Sequence, residues 1–324
     1  SGSQQDCHVT ATSSAKAFAG TAACSATAIS GQPTPQKRTS RQAGGNGIVE
    51  GLCIDVASCS LQGQKVSIQD WVNQDRHMSV WLTRELLLIG VFDGHGENGH
   101  VAAARVQEIF EQHSADYLAA GGRASSAMGF MQLFAFAHRV LERDGQCQLS
   151  GTTAAVAIID VGARSMVTAH AGDSRVVLVR DGRVVFETAD HAIDEKQESR
   201  LKACGADVRC LDGSEGVRRI FAPGQGFPGL AMARSLGDLQ AHKLGALADP
   251  AVSASVPLWP GDVLVLATDG LWDKLATEHV AGNAGLASPE AAARGLALAA
   301  RSQWPADGDI DDITLVVAHA VEAV

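Results

Sequence analysis

Five short runs in this chain deliver carboxylates at the ends of apolar segments. Asp93-Gly94-His95-Gly96 follows Leu86-Leu87-Leu88-Ile89-Gly90-Val91-Phe92, and Asp269-Gly270-Leu271-Trp272-Asp273 follows the apolar stretch Val263 to Thr268. Asp309-Ile310-Asp311-Asp312 precedes Ile313 to Ala318, Asn73-Gln74-Asp75 precedes an alternating segment, and Ala171-Gly172-Asp173-Ser174-Arg175 joins two β-rich runs. A strand end fixes the direction of a side chain, while Gly94 and Gly96 permit the sharp backbone by which a carbonyl and a side chain face one ion. Each run alone also reads as ordinary turn chemistry, since Asp-Gly is a common turn dipeptide. Taken together they demand a counter-charge, because two carboxylates about 4 Å apart repel by roughly 4 kcal/mol at an effective dielectric near 20. Hard oxygen ligands without thiolate or imidazole partners suit Mg²⁺ or Mn²⁺ rather than zinc.

The elements that must position these acids are legible from periodicity. Apolar residues at helical spacing predict helices over 97–120, 125–143 (Phe130, Leu133, Phe134, Ala137, Val140, Leu141) and 288–304, the last opened by Ser288-Pro289-Glu290. Between them, 154–160, 165–170, 175–180 and 183–187 read as strands of a meander, with Asp181-Gly182 as a hairpin turn. Strands joined by hairpins rather than by single helices imply antiparallel sheets, and hence a layered α+β protein.

Composition narrows the function classes. The chain has 324 residues, of which 46% are hydrophobic, enough for a substantial core. A net charge of −10 and a pI near 5.5, with no Lys/Arg block, argue against a nucleic-acid partner. No run reaches the length of a membrane span, so no membrane partner is expected. Seven Cys, an odd and scattered number with no CxxC, read as reduced thiols of an intracellular protein, cytoplasmic or nuclear. Residues 1–47 lack clean periodicity and carry Gln32-Pro33-Thr34-Pro35 beside Lys37, Arg38 and Arg41, so they read as a flexible N-terminal extension preceding one domain over 48–322.

The order Asn73-Gln74-Asp75, Asp93-Gly94-His95-Gly96, Ser150-Gly151-Thr152-Thr153-Ala154, Gly172-Asp173-Ser174-Arg175, Arg234-Ser235-Leu236-Gly237-Asp238, Asp269-Gly270-Leu271-Trp272-Asp273 and Asp311-Asp312-Ile313-Thr314 resembles the metal-dependent type 2C (PPM) Ser/Thr protein phosphatases. The Asn-Gln-Asp form is similar to that of members from plants and apicomplexans. The resemblance implies an α-β-β-α sandwich, two antiparallel sheets flanked by helices, with two Mg²⁺ or Mn²⁺ ions at one edge and a third in some members. It implies that Asp93 bridges the metals, that the Gly94 carbonyl binds one and Asp269 and Asp311 the other, and that Asp173 and Asp273 serve the third. Asp75 is the acid that survives beside Gln74, where many members carry Glu, and it is expected behind the metals rather than on them. His95 matches the residue that protonates the leaving oxygen; a structural, hydrogen-bonded histidine is the alternative.

The implied activity is hydrolysis of phosphoserine and phosphothreonine in proteins by metal-activated water, with phosphoprotein substrates and a monomeric enzyme. A weakly active relative that binds phosphoproteins is the rival reading, and a two-metal nuclease or phosphodiesterase is disfavoured by the acidic balance. One departure stands out. The position five residues before Asp75, where the resemblance expects a phosphate-binding Arg, is Asp70. Either an insertion within 67–72 shifts the match, or Lys65, Arg76 or Arg84 serves instead. Arg234 and Asp238 are expected to organise the loop beside the site, Arg175 to pair with a carboxylate, and 190–228 to form the variable flap that sets selectivity.

Overall fold

The computed structural model describes residues 8–12, 52–119, 127–211, 216–285 and 288–322. In one sheet β1 (His8–Thr12), β2 (Leu52–Leu61), β18 (Ile313–Glu322), β17 (Val263–Ala267), β9 (Arg175–Arg180) and β10 (Arg183–Glu187) pair in that order. In the other, β15 (Ala251–Val252), β8 (Ser165–Ala171), β7 (Ala154–Asp160), β4 (Leu86–Phe92) and β3 (Arg76–Trp81) follow one another, with β16 (Val256–Pro257) also on β8. Every pairing within the two sheets is antiparallel.

Period-two alternation explains why these strands stack as inner layers. Along β4, Leu86, Leu88 and Phe92 join one apolar cluster with Ala102, Val106 and Phe110 of α1 (Gly99–Leu118) and Phe130 and Phe134 of α2 (Ala127–Asp144). The intervening Leu87, Ile89 and Val91 meet Leu264 and Leu266 of β17 and Val316 and Ala318 of β18 between the sheets. The other face of β17 and β18, with Val265, Leu315 and Val317, packs on α6 (Thr277–Ala284) and on Leu296 and Ala297 of α7 (Pro289–Gln303). Each central strand is apolar on both faces because each is covered on both faces. The result is the expected four-layer α-β-β-α sandwich. Edge-to-face contacts of Phe110 with Phe92 and Phe134, at 5.5 and 5.2 Å between ring centroids, lock the first helical layer.

The expected helices are found two or fewer residues from their predicted starts, and α7 opens as Ser288 and Pro289 foretell, with the Ser288 hydroxyl accepting from the Ala291 amide. The expected flap is a packed unit: α3 (Glu195–Ala203), β11 (Asp207–Cys210), β12 (Arg218–Phe221) and β13 (Pro228–Leu230) enclose Leu201, Val208, Ile220 and Leu230. Within the segment read as a flexible extension, His8–Thr12 is tied to β2 as an edge strand; the rest of 1–47 lies outside the described residues.

Candidate metal centre and active site

β4 ends at Phe92 in the middle of its sheet, between β3 and β7, and so delivers Asp93 from a braced position. Asp93 and Thr153 are tied reciprocally: the Asp93 amide donates to the Thr153 hydroxyl at 3.1 Å, and the Thr153 amide donates to the Asp93 carbonyl at 2.8 Å. Thr153 also shares a 2.6 Å hydrogen bond with Ser174, the neighbour of Asp173. Next to it, β5 (Gly94–His95), β6 (Gly151–Thr152) and β14 (Leu236–Gly237) form a three-stranded patch with β6 in the centre. A Cβ at Gly94 would collide with the Gly99 backbone and with the Gln74 carbonyl, so only glycine lets that backbone run here.

Six acids converge beside this patch. Burial, then the charges of Asp269, Asp75, Asp311 and Asp173, pushes the Asp93 carboxyl well above the ordinary carboxylate range. Asp269, which opens α5 (Asp269–Trp272) directly after β17 and Thr268, is raised by burial and by Asp173 and Asp311. Asp75 is raised by burial and by Asp312, against the 2.8 Å hydrogen bond that its Oδ2 accepts from Thr268. Asp173 is raised to about 6 by burial, with His95 opposing and Asp190 and Asp273 reinforcing. Asp273 rises through burial, with Lys274 opposing and Asp311 reinforcing.

This is a site short of positive charge, and its donors are the hard oxygens that Mg²⁺ and Mn²⁺ take. Asp173 Oδ1 is buried with no hydrogen-bond partner. Among the described residues no three His, Cys, Asp or Glu side chains are closed on one point as a finished coordination sphere. The acids are gathered, with Asp269 in hydrogen-bond contact with Asp93, and with the Gly94 backbone their oxygens fit a site in which divalent ions offset the crowded charge.

His95 sits at the rim. Its Nε2 lies 2.7 Å from Asp238 Oδ2, and Nδ1 is buried without a partner. Burial opposes its protonation, but the Asp238 and Asp173 charges outweigh that and raise its pKa. Gly151 is what allows the pair: His95 is opposite Gly151 in β6, and a Cβ at Gly151 would collide with the Asp238 carboxylate. The expected looser role of Asp238 in organising a loop is thus sharpened to direct contact with His95. Arg234 instead donates to the Asp249 carbonyl at 2.8 Å, and Arg175 grips Asp190 with two bonds of 3.0 and 2.7 Å.

The 62–75 segment is sewn to the 309–312 loop by Asp312, which pattern reading leaves without a role. Asp312 is buried and accepts from the Gly63 amide (2.7 Å), the Gln74 amide (2.8 Å) and Trp71 Nε1 (3.1 Å). Gln74 spends its side-chain amide on the Gly96 carbonyl at 2.9 Å, so it braces the Asp93 loop rather than facing an ion. Asn73 holds the Asp75 amide and Ser60. Asp70, the position where a phosphate-binding base is expected, sits exposed in a left-handed turn at φ 61. Of the three alternative bases, Arg84 lies in the β3–β4 turn at the far end of β4, and Arg76 donates to the Asn73 and Asp75 carbonyls. Lys65 Nζ lies 3.1 Å from Asp311 Oδ1.

A cavity of about 380 Å³ opens beside Asp190 and the stacked rings of His170 and His191, on the flap side; none of the six converging acids lines it. The carboxylates that point to chemistry lie outside this cavity.

The comparisons agree with this geometry. The protein phosphatase 2C family model matches residues 54–304. "Probable protein phosphatase 2C 72" of Arabidopsis thaliana is 32% identical over 284 residues, covering 80% of this chain and 83% of that protein. "Probable protein phosphatase 2C 14" of Oryza sativa subsp. japonica is 31% identical over 317 residues, and the match spans 82% of this chain but 60% of that longer protein. Among solved structures, the serine-threonine phosphatase 2C from Toxoplasma gondii superposes with a TM-score of 0.68 at 20% identity, covering 82% of this chain and 95% of that one. The catalytic domain of PstP, solved with two manganese ions, superposes with a TM-score of 0.54 at 20% identity, over 84% of this chain and 100% of that one.

Proposed function

The chain belongs to the protein phosphatase 2C family, and on that premise we propose that it removes phosphate from serine and threonine side chains of phosphoproteins with two Mg²⁺ or Mn²⁺ ions. The observation that carries this reading is the convergence of Asp93, Asp269, Asp311 and Asp173 at the ends of strands, with Asp273 at the close of α5, beside the Gly94 backbone and His95. Asp93, the Gly94 carbonyl, Asp269 and Asp311 would hold the two ions, and Asp173 and Asp273 a third. Asp75, bonded to Thr268, stands behind them. Bound, the ions supply Lewis acidity and a water acidic enough to act as hydroxide near neutral pH.

The protein's own groups supply the rest. Asp238 holds the His95 ring and favours its protonated form, so His95 can hand a proton to the departing seryl or threonyl oxygen. Gly151 keeps that pair in register, and Thr153 and Gln74 stop the Asp93 loop from shifting. On its Asn73-Gln74-Asp75 run we assign the chain to the Asn-Gln-Asp subgroup, as a monomeric intracellular enzyme, cytoplasmic or nuclear, whose catalytic domain spans 48–322. Hydrolysis of a phosphothreonine peptide, titrated with Mn²⁺ and Mg²⁺ against EDTA, tests the reading. Metal-dependent turnover is expected; metal binding without turnover would turn the chain into a phosphoprotein-binding module.

A further inference from the structure

The cavity on the flap side takes no part in the chemistry above, yet its floor is costly to build. Along β8, Met166 faces the core between the sheets, and Thr168 and His170 follow it on the same face by period two. Both line the cavity, at 1% and 5% exposure, and the Thr168 hydroxyl and His170 Nδ1 have no hydrogen-bond partner. A buried polar atom left unpaired costs more than a made hydrogen bond returns, so two of them on one strand face mark a place shaped for a ligand.

The chemistry of that ligand follows from the walls. His170 Nε2 lies 2.8 Å from the Ala189 carbonyl, which can only accept, so Nε2 carries the hydrogen. Burial lowers the pKa of His170 and pushes His191 down to about 3, with the charge of Arg234 adding to both effects. Both rings are therefore neutral at pH 7, and His170 Nδ1 presents a bare lone pair. The rings stack at 4.4 Å and 12°, and Phe186 joins them in the lining, so part of the wall is flat and aromatic. The charged residues of the lining are Glu187, Asp190 and Asp194, without a Lys or Arg. An anion finds no counter-charge among them. A cation finds Asp190 spent on Arg175, Asp194 spent on the Gln197 amide at 2.7 Å, and Arg234 close by. What fits is an uncharged, flat molecule, and about 380 Å³ is the size of a small-molecule site.

The same wall is bonded to the strand end that carries Asp173. The Gly172 amide donates to His191 Nδ1 at 3.1 Å, and the His191 amide donates to the Gly172 carbonyl at 3.0 Å. Asp190 grips Arg175, which also bonds the Thr277 hydroxyl at 3.2 Å and lies over the Trp272 ring of α5 at 5.3 Å. A molecule that fixes Asp190 and His191 thereby steadies Asp173 and the helix between Asp269 and Asp273.

We propose that this cavity binds an uncharged planar nitrogen heterocycle against the histidine pair, its N–H donated to His170 Nδ1 and a ring nitrogen accepting from the Thr168 hydroxyl, and that occupancy tightens the metal centre. Water could pair the two polar atoms but gains nothing from an aromatic wall. The coupling, though not the binding, rests on the metal-dependent phosphatase reading above.

The probe is benzimidazole, uncharged at neutral pH, with one N–H and one bare ring nitrogen. Calorimetric titration into the full chain should give a Kd of about 0.1–1 mM for a probe of this size. 1-Methylbenzimidazole, which lacks the donor, should bind about 3- to 10-fold more weakly. Ala251 pairs directly with His170 and shares its face, so Ala251→Trp should fill the cavity and abolish binding. Thr168→Val, which nearly keeps the shape, should weaken binding about 3- to 10-fold while its Tm without the probe holds or rises, since an unpaired hydroxyl is removed. Saturating benzimidazole should tighten the weakest Mn²⁺ site about threefold, and Mn²⁺ should tighten benzimidazole by the same factor. No binding up to about 10 mM, or equal binding to wild type and both variants, overturns the site and leaves a water-filled cleft. A Mn²⁺ affinity indifferent to the probe, or tightened equally in Ala251→Trp, overturns the coupling. Because no arm reads turnover, a chain that binds the heterocycle yet hydrolyses nothing would refute the phosphatase reading and leave the site standing.

Discussion

Replacing Asp238 with Asn tests the proton path directly. The substitution keeps the shape of a side chain that is 3% exposed and removes a negative charge 2.7 Å from His95 Nε2. Without Asp238, burial and the Asp173 charge are left to oppose each other at His95, and the protonated ring loses its strongest support. A hydrogen bond between charged groups contributes about 1.5–3 kcal/mol, and each 1.4 kcal/mol is roughly tenfold in rate, so kcat should fall about 10- to 150-fold where the leaving oxygen needs a proton. A phosphothreonine peptide has such a leaving group; p-nitrophenyl phosphate, whose phenolate departs unaided, does not and should slow by no more than about threefold. Steady-state rates at saturating Mn²⁺ and pH 7 give the comparison, with thermal melts of both proteins to confirm the fold. Equal slowing of both substrates would refute the acid role of the pair and leave His95 as a purely structural partner of Asp238.

Other consequences are equally exposed to measurement. Asp93→Asn should abolish turnover and the Mn²⁺-induced rise in Tm yet raise Tm in EDTA at pH 7, because it relieves a buried cluster of like charges; a lower Tm in EDTA would contradict the electrostatics. Asp173 is raised from its ordinary 3.8 to about 6, so the fold binds extra protons; its share of stability is complete below about 3.8 and lost as pH rises through 6, and in EDTA the stability of Asp173→Asn relative to wild type should increase between pH 5 and pH 7.5. Gln74→Glu exchanges a donor for an acceptor facing the Gly96 carbonyl and should cost about 1–3 kcal/mol in urea denaturation in EDTA; unchanged stability would deny the amide its bracing role. His191, pushed down to about 3 by burial and by the stacked His170, stays neutral in the fold while the unfolded chain protonates near 6.5; stability therefore falls as pH drops below 6.5, by up to about 1.4 kcal/mol per unit, and His191→Gln should flatten that slope.

Sequence pattern reaches the layers and the acids for the same reason: both are local. Alternation along Leu86–Phe92 and Val263–Ala267 announces strands covered on two sides, and an acid directly after such a run must emerge at the sheet edge. What pattern does not reach are partners chosen by topology. His95 and Asp238 are 143 positions apart and meet only because β6 carries a glycine between them. Asp312 looks interchangeable with Asp311 in sequence, yet one points inward to Gly63, Trp71 and Gln74 and the other outward to Lys65. The stacking of His170 on His191 likewise follows from which turn is tied to which. A glycine required opposite a candidate acid is the one local clue that was available for the His95 pair.

The place of β18 has a consequence for biosynthesis. Ile313–Glu322 inserts between β2 and β17, pairing all ten of its residues with a strand formed some 250 positions earlier. Until the ribosome has released those residues, the sheet is two fragments with open, apolar edges, and Asp311 and Asp312 have nothing to hold them against Lys65, Trp71 and Gln74. Such late, long-range pairing folds slowly and leaves hydrophobic strands in need of shelter. It also means that catalysis cannot precede completion of the domain: a chain interrupted before Ile313 lacks the seam of its sheet and the scaffold of its metal centre together, so a truncated translation product is silent rather than unregulated.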